Sequence, residues 1–329
     1  MKNSKLNLLF INKSEYEIKK LNIIKKKCTI YNIENPGRKK FIDFIKIKKL
    51  SKIDILVVNI GIDFNEFILK LFPKLKIILT PTTGLNHLDI DYIKKNKIKL
   101  FSLKNNKKLK QVTSTAEHTW ALILAITRNL IQYHNDTSLK GNWDRKKYID
   151  NVFQLYGKTI GILGFGRLGK MISIYAAAFG MKILIFDKKI KKNRIKNYSS
   201  LNKIFSQSDI VSVNLSYDKT THGIISKKIL KKAKSNQILV NTSRGEIFNE
   251  PALWSYLQSK KNRYAGLDVL VNDYKWYKKI PPNNLKNLRK IKKKIILTPH
   301  VGGVSVDAKK ITRNIILELL LKVLKKNKL

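Results

Sequence analysis

The segment Thr159-Ile-Gly-Ile-Leu-Gly-Phe-Gly-Arg-Leu-Gly169 decides the fold of this 329-residue chain. Its apolar start, Thr159–Leu163, predicts a buried strand, and the glycine pattern that follows opens a helix rich in small residues. Gly164 permits a tight turn, Gly166 removes the side chain that would keep a pyrophosphate from the helix N-terminus, and Gly169 lets the helix pack closely on the strand. The segment therefore predicts a dinucleotide-binding βα unit.

An acidic residue follows the next apolar run, where such a unit needs one. The run Lys182–Phe186 ends at Asp187, 18 residues after Gly169. A carboxylate at that position hydrogen-bonds the ribose hydroxyls of an adenosine and repels a 2′-phosphate, so the pattern favours NAD over NADP. The alternative is a glycine-rich turn followed by a surface aspartate. The repulsion could also be softened by the lysines that come next, at positions 188, 189, 191 and 192.

Strand and helix patterns alternate on both sides of this unit. After it, apolar runs predict further strands at 210–215, 238–241, 264–269 and 295–298. Before it, shorter runs predict strands at 6–11, 28–33, 55–60, 76–80 and 97–101. Strands that alternate with helices form parallel sheets, so the chain is predicted to be an α/β protein whose second series is a doubly wound dinucleotide-binding domain.

Three other segments complete the predicted layout. Residues 113–130 predict one long helix with Ser114 and Glu117 spaced as a capping box, and the absence of lysine between Lys110 and Lys140 marks it as buried. His118 on this helix is expected to be a buried histidine with structural partners. The segment 278–294, rich in Pro, Asn and Lys, predicts a surface connection. About residues 307–324, a helical apolar pattern predicts a helix that packs back on the first sheet.

Polar residues follow three of the later predicted strands. The segments Asn241–Glu246, Gly266–Asp273 and Thr298–Gly303 all stand at carboxyl ends of strands, where open α/β sheets bind ligands. The stretches between Lys234 and Lys260 and between Lys294 and Lys309 contain no lysine, although lysine is abundant elsewhere. These segments are therefore the candidates for a reactive site.

The net charge of +46, from 68 basic and 22 acidic residues, allows two interpretations. A basic protein of this kind could bind nucleic acid through an electropositive surface. However, Lys, Ile and Asn dominate the composition, all three have A/T-rich codons, and the basic residues are spread over the whole chain. Codon drift explains this distribution better than a localised binding surface, so nucleic acid is not the expected partner.

Composition also bears on other classes of protein. No apolar run approaches the roughly 20 residues of a membrane span, and the run Leu6–Ile11 resembles a first strand more than a signal peptide. The single cysteine, Cys28, excludes an intrachain disulfide and a cysteine-cluster metal site. We therefore expect a cytoplasmic protein with no membrane association and no metal.

Taken in order, the motifs resemble those of the D-isomer-specific 2-hydroxyacid dehydrogenase family, which includes phosphoglycerate, glycerate and D-lactate dehydrogenases. The resemblance covers nearly the whole chain and extends the motifs above with Thr80–Asp89, Ala116–His118 and Gly141–Trp143. It implies two Rossmann-like domains. The substrate domain would be flavodoxin-like and discontinuous, at 1–108 and 304–329, and the doubly wound NAD-binding domain would be inserted at 109–303.

The resemblance also implies an NAD-dependent oxidoreductase that interconverts a small 2-hydroxy acid and a 2-keto acid. Arg244 would bind the substrate carboxylate and carbonyl through its forked, permanently charged guanidinium. His300 would act as the acid/base, and Asp273 would orient it. The backbone at Thr83 and Gly84 would bind the substrate carboxylate. The residues implied for the cofactor are Gly164, Gly166, Arg167, Leu168, Gly169, Asp187, Thr242, Ser243, Asp268 and Gly303. Asp268 could instead support the backbone.

Two departures from the family pattern matter. The family usually has Glu-Pro where this chain has Asp273-Tyr274, and Asp is one methylene shorter, or about 1.5 Å in reach. Either the loop moves inward and the acid–histidine pair survives, or the pair is lengthened. Second, phosphoglycerate enzymes of the family tend to carry basic side chains where this chain has Asn59 and Gly61, which favours a smaller or unphosphorylated substrate.

Two further expectations come from the resemblance. A homodimer is expected, with the segment after Leu130 helping to form an arm between subunits. The competing interpretation of the same fold is a non-enzymatic, NAD-sensing partner protein, as family corepressors are. Intact Arg244 and His300 favour the enzyme, whereas the change at Asp273 leaves the alternative open.

Overall fold

Both predicted parallel sheets are present in the computed structural model, which describes residues 5–147, 152–190, 192–194, 196–260, 262–276 and 279–325. The chain divides into two units. Unit 1 comprises Met1–Val112, Tyr274–Lys279 and Ser305–Leu329, and unit 2 comprises Thr113–Asp273 and Ile280–Val304.

Unit 1 is built on a five-stranded parallel sheet with the order β2-β1-β3-β4-β5. This is the flavodoxin-like order, as the resemblance implied. Three of its strands are shorter than the sequence predicted, and the run expected to reach Ile60 ends at Val57. The chain turns there because Asn59 Oδ1 accepts a hydrogen bond from Ile60 N at 2.9 Å and Gly61 adopts φ 118°. The strands are β1 (Leu6–Ile11), β2 (Cys28–Ile33), β3 (Ile55–Val57), β4 (Ile77–Leu79) and β5 (Lys99–Phe101).

Unit 2 is built on a six-stranded parallel sheet with the order β11-β10-β9-β8-β6-β7. Beyond β7, Tyr198 forms one parallel bridge with Ile185, so the third strand of a doubly wound sheet is present at a single position. The sequence pattern did not predict it. The strand order reverses between β6 and β8, which places the glycine loop at the topological switch point. The strands are β6 (Thr159–Leu163), β7 (Lys182–Phe186), β8 (Ile210–Val213), β9 (Ile238–Asn241), β10 (Tyr264–Leu267) and β11 (Ile295–Leu297).

Helices surround the sheets of both units. No helix in the described residues is both long and apolar enough to cross a membrane. The helices are α1 (Ile18–Lys25), α2 (Arg38–Ile47), α3 (Glu66–Leu69), α4 (Ile90–Lys95), α5 (Ser114–Thr127), α6 (Leu130–His134), α7 (Arg167–Ala178), α8 (Leu201–Gln207), α9 (Lys227–Leu230), α10 (Glu250–Ser259), α11 (Pro282–Lys290) and α12 (Val306–Lys325).

The core of unit 1 follows from the alternation of side chains along its strands. In β1, Leu8 and Phe10 point to the face covered by α12, whereas Leu9 and Ile11 point to the opposite face, covered by α2 and α3. Helix α12 therefore packs against the sheet of unit 1, through apolar residues such as Leu317. All five of these side chains are at most 3% exposed.

Two helix predictions need correction. The long helix expected at 113–130 ends at Thr127, because Asn129 adopts a left-handed conformation with φ 51° before α6 begins. At its other end Thr113, rather than Ser114, is the N-cap residue, and its hydroxyl donates to Glu117 Oε1 at 2.5 Å. The segment 278–294 was predicted as a surface connection without a helix, and this is wrong in part. It contains α11, which starts at a proline and buries Leu288 at 5% exposure.

The glycine loop of unit 2 packs closely against helix α7. A Cβ at Gly169 would lie 2.0 Å from Gly164 O, so α7 approaches the loop as closely as only a glycine allows. Gly164 itself has φ 94°, and a Cβ there would lie 2.7 Å from Asn214 O. These contacts fix where α7 begins relative to β6.

Replacing Gly169 with alanine should destabilise unit 2 by about 1–3 kcal/mol, because helix and loop must separate to admit a methyl group. Thermal unfolding followed by circular dichroism would measure the loss. The matched control is Gly166→Ala, where the added Cβ meets no atom within 4 Å. Equal melting temperatures for the two variants would contradict this account of the loop.

Candidate active site

The glycine loop and the turn after β7 are joined through Asp187. Asp187 Oδ2 accepts a hydrogen bond from Phe165 N at 2.7 Å, and Oδ1 accepts bonds from Lys189 N at 2.7 Å and Ile190 N at 3.1 Å. The carboxylate therefore anchors both backbone segments at the carboxyl ends of β6 and β7. Oδ1 already accepts two bonds, but Oδ2 has a second lone pair, so the group can still accept a bond from a ribose hydroxyl.

The surroundings of the loop fit a dinucleotide. Gly166 is exposed at the N-terminus of the 12-residue helix α7, and the position of its missing side chain is open space. Arg167 and Leu168, which follow it, are both half-buried in the first turn of α7. Beside the loop, Asn214 Oδ1 is one of the buried side-chain atoms in the described structure that have no hydrogen-bond partner, which leaves an acceptor for a donor group of the ligand.

The lysines after Asp187 are engaged elsewhere. Lys188 Nζ donates to Thr220 O at 2.8 Å, and Lys189 Nζ lies 2.9 Å from Asp218 Oδ2. These contacts direct both ammonium groups toward the segment after β8. Lys191 and the side chain of Lys192 lie outside the described residues. The two described lysines are thus bonded to protein groups, in agreement with a site for NAD.

Arg244 lies in a turn after β9 that the side chain of Asn241 holds in place. Asn241 Oδ1 accepts bonds from Ser243 N and Oγ, and Asn241 Nδ2 donates to Arg244 O at 2.9 Å. Burial lowers the pKa of the Arg244 guanidinium, while the carboxylates of Asp273 and Glu246 act in the opposite direction. The group stays charged at any physiological pH and lies within the field of these two acids.

Asp268, directly after β10, supports the backbone that carries His300. It is 2% exposed, and its Oδ1 accepts bonds from Thr298 Oγ1 at 2.6 Å and Val301 N at 2.9 Å. Its Oδ2 accepts a bond from Gly302 N at 2.8 Å. His300 N donates to Asp268 O at 2.8 Å, and His300 adopts φ 55°, a left-handed conformation that is uncommon for histidine. Of the two roles considered for Asp268, this geometry supports the backbone role.

His300 and Asp273 form a hydrogen-bonded pair. Nδ1 of His300 lies 3.0 Å from Oδ2 of Asp273, and the side chains are 25% and 14% exposed. The same Oδ2 accepts a bond from Leu270 N at 3.3 Å. The loop therefore lies close enough for the shorter aspartate to reach the imidazole. With Nδ1 donating to the carboxylate, Nε2 is the nitrogen of the neutral ring that can accept a proton.

Helix α5 is bonded to the segments after β9 and β11 through Thr119 and His118. Thr242, which is 7% exposed, forms a hydroxyl–hydroxyl bond with Thr119 at 2.7 Å. His118 Nε2 lies 2.9 Å from Thr298 Oγ1, whose proton goes to Asp268, so the imidazole must donate. His118 has structural partners, but its side chain is 23% exposed, so the expectation of full burial is wrong. It lies on the accessible side of the helix.

Thr83 and Gly84 belong to unit 1, where they follow β4. Thr82 Oγ1 donates to Gly84 O at 2.7 Å, so Thr80 Oγ1, at 2.9 Å, must donate to Thr82. His87 Nε2, 3.2 Å from Thr80 Oγ1, must in turn be a donor. His87 is 3% exposed, and it completes a chain of hydrogen bonds that holds the loop. The sequence carried no signal for this role, since the partners become neighbours only in the folded loop.

The remaining predicted residue, Gly303, lies at the end of the segment that Asp268 holds. Its missing Cβ would lie 3.6 Å from Thr115 Oγ1, an ordinary contact distance. Within the described residues, no three histidine, cysteine, aspartate or glutamate side chains are grouped so that they could hold a metal ion.

Comparison with known proteins supplies the family context. Residues 120–302 match the model for the NAD-binding domain of the D-isomer specific 2-hydroxyacid dehydrogenases. The chain is 31% identical over 287 residues to a D-3-phosphoglycerate dehydrogenase of Methanocaldococcus jannaschii, covering 85% of this chain and 51% of that protein. It is 31% identical over 283 residues to a hydroxypyruvate reductase of Thermotoga maritima, covering 85% and 86%.

Solved structures agree. A D-lactate dehydrogenase from Aquifex aeolicus, complexed with NAD and lactic acid, superimposes with a TM-score of 0.82 at 26% identity, covering 98% of this chain and 96% of that one. The chain spans about half the length of the D-3-phosphoglycerate dehydrogenases of Methanocaldococcus jannaschii and Bacillus subtilis, at 51% and 47%. The prediction of NAD as cofactor is confirmed by the family match and by this complex.

Replacing Gly166 with alanine should weaken NAD binding about 10-fold or more, because the methyl group fills the open space at the N-terminus of α7. The unfolding free energy should change by less than about 1 kcal/mol, the usual range for such a cap position. Isothermal titration calorimetry with NAD checks the first part, and thermal unfolding the second. Unchanged affinity would exclude this surface as the pyrophosphate site.

Proposed function

Because the chain belongs to the D-isomer-specific 2-hydroxyacid dehydrogenase family, we propose that it is an NAD-dependent enzyme that interconverts a small 2-hydroxy acid and the matching 2-keto acid. One observation carries the proposal. Nδ1 of His300 lies 3.0 Å from Oδ2 of Asp273, and the carboxylate of Asp273 also interacts electrostatically with the guanidinium of Arg244. An acid/base group, its orienting carboxylate and a cation for the substrate are the parts that this reaction requires.

The proposed division of labour follows the family. Residues 109–303 would form the NAD-binding domain, and residues 1–108 with 304–329 the substrate domain. The match of residues 120–302 to an NAD-binding domain supports the first part. The proposed cofactor contacts include Thr242, Ser243 and Gly303, and Thr83 and Gly84 are proposed to bind the substrate carboxylate through the backbone.

In the proposed mechanism the chain supplies proton transfer and electrostatics. Arg244 binds the carboxylate and the carbonyl oxygen of the substrate and stabilises the negative charge that develops on that oxygen. His300 gives its Nε2 proton to the oxygen during reduction and takes it back during oxidation. Asp273 accepts a hydrogen bond from Nδ1 and stabilises the imidazolium. The hydride that carbon 2 of the substrate gains or loses would be supplied or taken up by the nicotinamide of NAD when it is bound.

The proposed substrate is unphosphorylated. Neither Asn59 nor Gly61 can supply a cation for a phosphate group. The nearby Arg313 is 8% exposed, and its Nε and Nη2 donate to Glu15 Oε2 at 2.9 Å and 2.6 Å. Asn59 Nδ2 lies 3.5 Å from the same Glu15 oxygen. The guanidinium of this arginine is therefore already paired with a carboxylate, which Lys309 Nζ also approaches to 3.7 Å.

We also propose a cytoplasmic homodimer. Large apolar side chains are exposed in and after helix α6, with Leu130 at 53%, Ile131 at 48%, Leu139 at 73% and Trp143 at 77%. Side chains of this kind, concentrated in one segment, support an interface with a second copy. The single cysteine, Cys28, is buried and free, which is compatible with a reducing compartment.

The proposal is tested by oxidation of NADH in the presence of glyoxylate, hydroxypyruvate, pyruvate, 2-ketoisocaproate and phosphohydroxypyruvate. At least one unphosphorylated acid should be reduced, with NADH preferred over NADPH. Preference for phosphohydroxypyruvate would contradict the substrate class. Tight NAD binding with no turnover of any acid would contradict the enzyme function and favour the NAD-sensing alternative.

Replacing Asp273 with asparagine should lower kcat by about 100-fold and change the pH–rate profile, because the amide cannot stabilise a protonated His300. The measurement is steady-state kinetics from pH 5 to 9 on the best substrate of the panel. Since the amide is nearly isosteric, the fold and NAD binding should be retained. Kinetics equal to those of the unmodified enzyme would remove Asp273 from the mechanism.

A further inference from the structure

The loop that carries Asp273 is bonded to two glutamates that the mechanism above does not use. Glu250 Oε1, in the first turn of α10, accepts a hydrogen bond from Val271 N at 3.0 Å. Glu246 Oε1, in the turn after β9, accepts one from Asn272 N at 3.1 Å. Two consecutive backbone amides of the loop are thus bound by carboxylates from one segment of the chain.

We propose that Glu246 and Glu250 form a carboxylate clamp that holds the loop Leu270–Asp273 where its short aspartate can reach His300. The inference rests on the proposed function for its consequence in catalysis. The clamp is a positioning device, because its carboxylates bond to the loop backbone. Neither of them is proposed to touch the substrate or the imidazole.

A third contact comes from the same segment. A Cβ at Gly245 would lie 2.1 Å from Leu270 C and 2.3 Å from Val271 N, so the loop backbone passes directly over this glycine. The backbone of Val271 therefore packs closely against Gly245, and its N–H is bonded to Glu250. Together, Gly245, Glu246 and Glu250 bind the loop along its length.

The conformation of the loop explains why support is needed. Asn272 has φ 61°, a left-handed conformation that a residue other than glycine adopts at some cost. Asp273 N donates to Leu270 O at 3.2 Å, and Asp273 Oδ2 accepts from Leu270 N at 3.3 Å, so the four residues close into a tight turn. The turn brings the carboxylate inward, which compensates for the methylene that aspartate lacks relative to glutamate.

The electrostatics show that this arrangement is costly in itself. Burial raises the pKa of Glu250, the bond from Val271 N lowers it, and the charges of Glu246 and Asp273 raise it further. Glu246 is only 7% exposed. The positive charge of Arg244 offsets part of the repulsion among these three acids. Burial lowers the pKa of Arg244, and the carboxylates of Asp273 and Glu246 raise it. Two carboxylates on the surface would not repel each other in this way. The bonds that Glu250 and Glu246 accept from the loop amides explain why they are placed here instead.

The test compares alanine and glutamine at both positions. Glu250→Ala and Glu246→Ala remove the acceptor, and each should lower kcat by about 10- to 100-fold, since a displacement of about 1 Å at a reacting group has this effect. The KM for the keto acid and the Kd for NAD should change less than about 3-fold. Glu250→Gln and Glu246→Gln keep the oxygen that accepts from the amide and should restore most of kcat.

Two controls exclude a merely structural effect. Glu66→Ala makes the same chemical change at a glutamate of unit 1 whose side chain is 57% exposed, and kcat should not change. In an Asp273→Asn background, Glu250→Ala should cause little additional loss, because the clamp acts through Asp273. Losses that multiply in the double variant, or glutamine variants as impaired as the alanine ones, would overturn the proposal.

A second readout does not depend on activity. In protein labelled with ¹⁵N-histidine, the proton on His300 Nδ1 should resonate downfield because it is bonded to Asp273, and Glu250→Ala should shift this signal upfield. Hydrogen exchange at the Val271 and Asn272 amides should accelerate in the same variant. If no keto acid is turned over, the proposed function fails, but the clamp is still judged by these signals. An unchanged Nδ1 proton with unchanged exchange would overturn it.

Discussion

The candidate site depends on one buried carboxylate, Asp268. It follows β10 and bonds to the segment after β11, the neighbouring strand. The hydrogen bonds of the sheet end before these residues and cannot make this connection. The bonds to Val301 N and Gly302 N fix the backbone on the far side of His300, and the bond from His300 N to Asp268 O fixes it at the residue itself. Without the carboxylate, the buried N–H of Gly302 would lose its partner at a cost of about 1–3 kcal/mol, and the N–H of Val301 would lose its partner as well. The left-handed conformation of His300 would then keep only its backbone bonds, and the orientation of the imidazole toward Asp273 would be less well fixed.

The other parts of the site repeat this principle at neighbouring strands. Asp187 joins the ends of β6 and β7, the side chain of Asn241 folds the turn after β9, and two glutamates hold the loop after β10. Carboxylate and amide side chains thus bind backbone N–H groups after β6, β7, β9, β10 and β11 of unit 2. Such bonds fix loops that no sheet hydrogen bond can hold, and they keep the reactive side chains in place without large hydrophobic cores around them.

Much of the fold was predictable because its signals are local. The apolar runs of β1, β2, β6 and β7 match the observed bounds, and the glycine pattern marks the switch point of the second sheet. The third strand was not predictable, since Tyr198 pairs at one position and leaves no run. Helix α11 was hidden by a hydrophilic sequence whose few apolar residues, among them Leu288, are enough to anchor it.

The roles assigned to the candidate site residues stay predictions, but their positions at the ends of strands could be read from the sequence. Motif order indicated which residues stand at the ends of the strands, and Arg244, Asp273 and His300 all lie in unit 2. The contribution of Glu250 and His87 could not be read from spacing, because each acts on a backbone or hydroxyl group that only folding brings near. The net charge of +46 was the least informative feature. Its gaps were more useful, since lysine is absent from the stretches that hold Arg244 and His300, the proposed reactive residues.

The central claim is that His300, Asp273 and Arg244 carry out stereospecific reduction of a 2-keto acid with NADH. The most direct measurement is the configuration of the product, determined by chiral chromatography after reduction of pyruvate, hydroxypyruvate or 2-ketoisocaproate. The account predicts the D-2-hydroxy acid in large enantiomeric excess. An L-product, or a racemic mixture, would contradict it.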